Sequence, residues 1–296
     1  MDIKKFVDLH VHIGPEVLPR RFTVKTLVEE ERGKIKGLGL KSHFYPTMPL
    51  IKSFPEGENQ EETQKQNPLL IGSLTLNNYI GGLNPDAIYA SAKLSSRPII
   101  VWFPTINAEQ FLSSSRYEIP PEWVGEGFTS RLSSTIKPVR VTTQENKLTP
   151  QALNAVKSIK NNNCILATGH ISWKEAVVLV NKSLEVGVKK IIVTHPIYQK
   201  IDMPIIIQKK LAENKEVFIE QSYSMYAIDK IPMDLIVKQI KAVNPKNCII
   251  TSDTGQQGNP SPSEALKRFV SLLQSQGVDQ ESIEEMGITN PSSLIN

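Results

Sequence analysis

Eight short runs of β-branched and apolar residues recur along the 296-residue chain, most followed by a stretch with helical periodicity. They predict strands at 5–12, 37–43, 69–77, 98–104, 163–170, 189–195, 216–222 and 247–253. Their cores, such as Pro98-Ile99-Ile100-Val101-Trp102 and Lys190-Ile191-Ile192-Val193, are continuously apolar. Parallel strands covered on both faces read this way. Predicted helices fill 24–36, 85–94, 150–161, 173–186, 203–213, 232–243 and 262–275. Ser172 with Glu175 forms a capping-box pattern, Pro150 and Pro262 suit first-turn positions, and Gly187 suits a helix stop. This alternation predicts an α/β fold, a (β/α)8 TIM barrel. The competing open doubly wound sheet is weakened because no glycine-rich dinucleotide turn follows the first strand.

Two segments exceed simple connections. Residues 45–67 carry prolines and acids, and residues 105–149 separate strands four and five, with an extra short strand expected near Val139-Arg140-Val141. Both follow C-terminal strand ends, where long loops commonly build or cover an active site. No repeat, low-complexity tract or linker divides the chain, so one domain over 1–296 is expected. The net charge of +4 comes from scattered residues, which argues against nucleic acid and is compatible with anionic small molecules. Cys164 and Cys248 form no C-x-x-C pair, so neither a disulfide framework nor a cysteine metal site is indicated. They begin strands five and eight and are expected as buried thiols. The N-terminus runs directly into a strand and no apolar run approaches the ~20 residues of a membrane span, so a cytoplasmic protein without membrane attachment is expected.

The five histidines are concentrated in one kind of place. In Asp8-Leu9-His10-Val11-His12, strand alternation puts His10 and His12 on one side with Val11 opposite. His43, His170 and His195 end strands two, five and six, and Asp253 ends strand eight. The C-terminal face of such a barrel is where its chemistry is carried. Random placement would spread five histidines over helices and loops as well. Imidazoles with one carboxylate suit Zn2+, with Mn2+, Fe2+ or Ni2+ as alternatives. An ion there activates water, and Asp253 is placed as ligand and base together. Lys41 shares the parity of His43, so both should face the interior as substrate-binding groups. A salt bridge from Lys41 to Glu220 and a carboxylated bridging lysine are the competing roles for Lys41. Glu220, Ser222, Tyr223, Tyr226, Arg20 and Arg21 read as supporting structure, with the two arginines able to meet an anion.

The set His10-x-His12, His170, His195 and Asp253, on strands one, five, six and eight, resembles the amidohydrolase superfamily. Asn290-Pro291 near the end also looks like that superfamily's closing helix. The resemblance implies a distorted barrel, one or two divalent metals, hydrolysis of C–N, C–O or P–O bonds, and frequent homo-oligomers. It departs from the binuclear pattern, because Ile99-Ile100-Val101-Trp102-Phe103-Pro104 on strand four offers neither lysine nor glutamate. One ion is therefore favoured over two. Carried over, His10, His12, His170 and Asp253 would bind metal, and His195 with Asp253 would be catalytic. The expected function is metal-dependent hydrolysis of an ester, lactone, amide or C–N bond in a small-molecule substrate. Non-oxidative decarboxylation of an aromatic or unsaturated acid, and a non-catalytic metal-containing ligand-binding barrel, are the alternatives. A trinuclear phosphoesterase site would need more histidines than the five present.

Overall fold

The computed structural model describes residues 2–54, 66–115, 117–119, 123, 130–131 and 136–296. Its strands are β1 (Val7–His12), β2 (Gly37–Lys41), β3 (Leu69–Ile71), β4 (Ser73–Thr75), β5 (Ile100–Trp102), β6 (Tyr117–Ile119), β7 (Ser130–Arg131), β8 (Ile165–Ala167), β9 (Ile191–Val193), β10 (Val217–Ser222) and β11 (Cys248–Thr251). The expected third strand is present in two pieces, β3 and β4, broken at Gly72. β1, β2 and β3 form one parallel sheet, and β11, β10, β9, β8, β5 and β4 form another. Chain continuity from β3 to β4 joins the sheets at one seam. At the other, Asp253 N donates to His10 O (2.9 Å) and His12 N to Thr254 O (2.7 Å). The Asp8 carboxylate reinforces this seam by accepting from Ser252 N at 3.1 and 3.2 Å. Eight strand positions thus follow one another around the ring expected of an α/β barrel.

Helices pack outside: α1 (Val24–Glu31), α2 (Met48–Ser53), α3 (Pro85–Lys93), α4 (Glu109–Ser114), α5 (Pro150–Asn161), α6 (Trp173–Val186), α7 (Ile205–Leu211), α8 (Tyr223–Ala227), α9 (Met233–Val243), α10 (Pro262–Ser275), α11 (Gln280–Glu284) and α12 (Asn290–Ile295). Local signals act as expected. Ser172 accepts from Glu175 N in a reciprocal capping box, and Gly187 ends α6 with φ +95°. The predicted helix over 24–36 is shorter, because Arg32 is extended and Gly33 takes φ +69°. Asn290 fixes the closing α12 by donating to Pro245 O (2.9 Å) and Cys248 O (2.7 Å).

The apolar residues divide into two layers. Val7, Leu9, Trp102, Ala167, Ile192 and Ile249 pack together in an inner cluster, while Val11 joins the larger cluster beneath the helices. Between Asp8 and Val11 the register of β1 against β2 shifts, a bulge that re-aims His10 and His12 after the inward Leu9. The extra strand expected near 139–141 is reduced to an isolated bridge, Val139 with Ala108. The antiparallel pair in that segment is β6 with β7. Cys164 and Cys248 are buried, and burial pushes the Cys164 thiol up to about 12. Among the described residues no helix is long and apolar enough to cross a membrane.

Candidate metal centre

β1, β2, β9 and the ends of β8, β10 and β11 converge on one cavity. His12, Lys41, His43, His170, His195 and Asp253 all line it. The centres of water-sized spheres have about 30 Å³ there, enough for one or two waters, within about 400 Å³ of unfilled space that opens to solvent. His10 lies just beneath, packed on Trp102 with ring centroids 4.4 Å apart. Four of the histidines are held uncharged. Burial pushes His12, His43 and His170 well below the ordinary imidazole range, and His195 down to about 4. Neutral imidazole is the form that binds metal.

The hydrogen-bond partners of His10 settle which nitrogen carries its proton. Glu220 Oε1, an acceptor, lies 2.8 Å from His10 Nδ1. Lys41 Nζ, an obligate donor, lies 2.9 Å from Nε2. Nδ1 therefore donates and Nε2 presents a lone pair. Yet Asp253 Oδ1, also an acceptor, stands 3.1 Å from that same Nε2. Two lone pairs facing at this distance repel unless a cation lies beside both. The Lys41 ammonium supplies one positive charge there. Burial lowers its pKa to about 8, against the pull of Asp253 and Glu220. A divalent ion is the other group this geometry suits.

Donor atoms of His10, His195 and Asp253 all lie within 4.8 Å of one another. Two imidazoles and a carboxylate, with room for water, match the three-ligand pattern of catalytic zinc sites. The Nδ1 atoms of His170 and His195 are buried without a hydrogen-bond partner among the described residues. The residues present therefore fit a divalent ion. Glu220 backs His10 as a carboxylate–histidine pair, which fixes the ring and raises its basicity. Burial alone would raise the carboxyl pKa of Glu220, but the electrostatic pull of the His10 imidazole and its Nδ1–H hydrogen bond hold it below the usual range. Asp253 is held well below that range despite its burial, by His10, the hydrogen bond from His12 and His195. Ser224 Oγ donates to its Oδ2 at 2.6 Å.

His12 is held differently from His10. Arg20 Nη2, always a donor, lies 3.1 Å from His12 Nδ1, so the His12 proton sits on Nε2 and points at Asp253 Oδ1, 3.1 Å away. His170 lies one ring beyond His195, with centroids 5.1 Å apart. His43 bonds Thr105 Oγ1 through Nδ1 at 2.8 Å and stacks on Trp123. Lys41 spans His10 and the face of Trp102, 4.2 Å from the ring centroid, rather than forming a salt bridge with Glu220. Sequence reasoning passed over Ser224, Trp123 and Gln256 as cavity-lining residues. It also missed Glu16, although Glu16 and Arg20 stand four apart in one loop. The long 105–149 segment reaches the cavity through Trp123, but residues 45–54 do not, and 55–65 lie outside the described residues.

Glu220→Gln tests the carboxylate behind His10. Glu220 accepts from His10 Nδ1 and Thr251 Oγ1 on Oε1 and from His195 N on Oε2, all within 3.0 Å. A carboxamide has one acceptor end, so its amide would face a donor on the other side. The expected result is a ~10–100-fold loss of zinc affinity, measured by competition with a coloured chelator. Unchanged affinity would separate Glu220 from the metal centre.

An eight-position α/β ring thus carries a buried histidine–carboxylate cluster at its C-terminal strand ends. The structure is similar to an amidohydrolase from Pseudomonas aeruginosa (TM-score 0.62, 8% identity, 98% of this chain and 95% of that one covered). It is also similar to the probable dipeptidase PvdM from Pseudomonas aeruginosa (TM-score 0.61, 12% identity, 98% and 94% covered). A 2,6-dihydroxybenzoate decarboxylase with bound 2,6-dihydroxybenzoate matches at TM-score 0.51 and 12% identity, with 99% of each chain covered. At these identities the likeness is one of fold. The chain belongs to the family of unknown function DUF6282, whose model matches residues 5–220. Comparison with curated protein sequences returned no match.

Proposed function

We propose that this protein is a divalent-metal-dependent hydrolase of the amidohydrolase type, acting on an ester, lactone, amide or C–N bond of a small molecule. The observation that carries this reading is the close approach of His10 Nε2 to Asp253 Oδ1, with His195 completing a three-donor cluster. His10, His195 and Asp253 would hold the ion; zinc suits two imidazoles and a carboxylate. When bound, such an ion supplies Lewis acidity and eases deprotonation of water. Asp253 is the proton acceptor for that water, held in place by Ser224 and His12. His170 and Lys41 face the same cavity and are positioned to meet an oxygen that gains negative charge. His12 and His170, which the superfamily resemblance assigns to the metal, flank this cluster as further ligand candidates.

The test is metal analysis of the purified protein together with hydrolysis of an ester, lactone and amide panel. About one divalent ion per chain is expected, with hydrolysis lost on chelation and regained on adding the metal back. Absence of stoichiometric metal would refute the reading. Decarboxylation is the second reading, supported by the fold shared with the dihydroxybenzoate decarboxylase. Carbon dioxide release from aromatic acids, without hydrolysis of the panel, would replace the first reading by the second.

A further inference from the structure

The loop between β1 and α1 places a guanidinium beside the metal centre. Arg20 lines the cavity, yet its side chain is only 2% exposed. Three sets of contacts fix it. Its Nε donates to Glu16 Oε1 at 2.5 Å, its Nη2 donates to His12 Nδ1, and its backbone pairs with Gln256 beyond β11. Glu16 is itself immobilised: its Oε2 accepts from Ser42 Oγ at 2.5 Å and from His43 N at 3.3 Å. A buried carboxylate thus bolts the guanidinium to the end of β2. Among the described residues these contacts engage Nε and Nη2, and none engages Nη1.

Holding an arginine this firmly in a cavity serves recognition better than support of one imidazole. The histidine ring needs a single donor on Nδ1, which a hydroxyl or backbone amide would supply without burying a charge. A planar fork matches the two oxygens of a carboxylate. Among the described residues, neither a glycine-rich loop nor the start of a helix of eight or more residues joins it in lining the cavity, so a carboxylate is favoured over a phosphate. The spacing also fits. Arg20 and Asp253 contact opposite nitrogens of the same His12 ring, so the two ends lie about one imidazole apart. A short chain with one carboxylate on Arg20 would place its other end at the His10–His195–Asp253 cluster.

We propose that Arg20, positioned by Glu16, is the specificity-determining residue of this site, and that the substrate is a small carboxylic acid whose reacting group lies two to three bonds from its carboxylate. The proposal deepens the hydrolase reading and rests on it for the reacting group, but not for the binding of the carboxylate.

Isothermal titration of succinate, butyrate and succinamate tests it, on the purified full-length protein with and without added zinc. Butyrate replaces one carboxylate of succinate by a methyl group, and succinamate replaces it by a neutral amide. Wild type is expected to bind succinate at least ~10-fold more tightly than either, the scale of one charge-assisted pair. Arg20→Met should reduce that preference to within ~2-fold, Arg20→Lys should retain part of it, and Glu16→Gln should weaken it. Equal binding of the three compounds by wild type overturns the proposal without any variant having to fold. A preference that survives Arg20→Met, or that is lost only in Lys41→Met, overturns it too. Binding is read separately from turnover, so a protein that hydrolyses nothing can still show the succinate preference. An active hydrolase can equally lack it.

Discussion

Asp253→Asn is expected to strip the protein of its divalent ion while leaving the barrel folded. Asp253 carries more of the candidate centre than any other side chain: it lies within 3.1 Å of His10 and His12, accepts from Ser224, and stands 3.9 Å from His195. It is also in the left-handed region, with φ +50°. Aspartate and asparagine tolerate that backbone conformation better than other side chains, whereas alanine there would add about 1 kcal/mol of strain. Asparagine therefore keeps the backbone conformation, but removes the charge and one of the two acceptor oxygens that meet His12 and Ser224. A neutral carboxamide is a weak ligand for zinc, and it no longer offsets the Lys41 ammonium. Zinc affinity should fall by more than ~100-fold, beyond the effect of losing a supporting residue. Any hydrolysis should fall to background, because ligand and proton acceptor are lost together. Metal content after dialysis and a thermal melt of the metal-free protein check both halves. An ion retained at full stoichiometry with a normal melt would remove Asp253 from the centre.

Much of this centre was legible because it lies on strand ends. A strand end has a fixed place in a barrel, so an apolar run that finishes in histidine or aspartate marks the C-terminal face without knowledge of tertiary contacts. That placed His10, His12, His43, His170, His195 and Asp253 around one cavity, apart from His10, which packs directly below it. What the pattern could not supply is which nitrogen faces which neighbour. His10 and His12 read as equivalent partners two apart on a strand. Glu220 makes one a lone-pair donor, and Arg20 makes the other a hydrogen donor. Both distinctions come from residues more than seven positions away or on another strand. The bulge in β1 was hidden for a related reason. Strict alternation through Val7, Leu9 and Val11 would place all three on one face, but the register shift sends Val11 outward. Loops carry the remaining omissions. Arg20 and Glu16 meet because the β1–α1 loop folds against the turn after β11, with Arg21 N donating to Gly255 O at 2.8 Å. No local propensity encodes that contact.

Gly169→Ala should be among the most damaging small substitutions near the centre, and the damage should reach His170. Gly169 follows β8 with φ +66°, a conformation that costs alanine about 1–2 kcal/mol by itself. Space is the larger obstacle. A Cβ at this position would overlap the Phe103 carbonyl oxygen and stand 2.6 Å from that of Pro104. Both atoms belong to the backbone leaving β5, so no side-chain rotation relieves the clash. The same junction is fixed by three hydrogen bonds: Phe103 N to Ala167 O (2.8 Å), His170 N to Pro104 O (2.9 Å) and Gly169 N to Thr194 Oγ1 (2.9 Å). Making room for a methyl group must part β5 from β8 at the point where His170 enters the cavity. The expected destabilisation is on the order of 3 kcal/mol or more, combining backbone strain with overpacking. A chemical-denaturation curve measures it, and an unchanged midpoint would refute the close approach. The same separation moves His170 and, through Thr194, the end of β9 that carries His195. Zinc affinity of the folded fraction should therefore fall as well, although no candidate ligand has been altered.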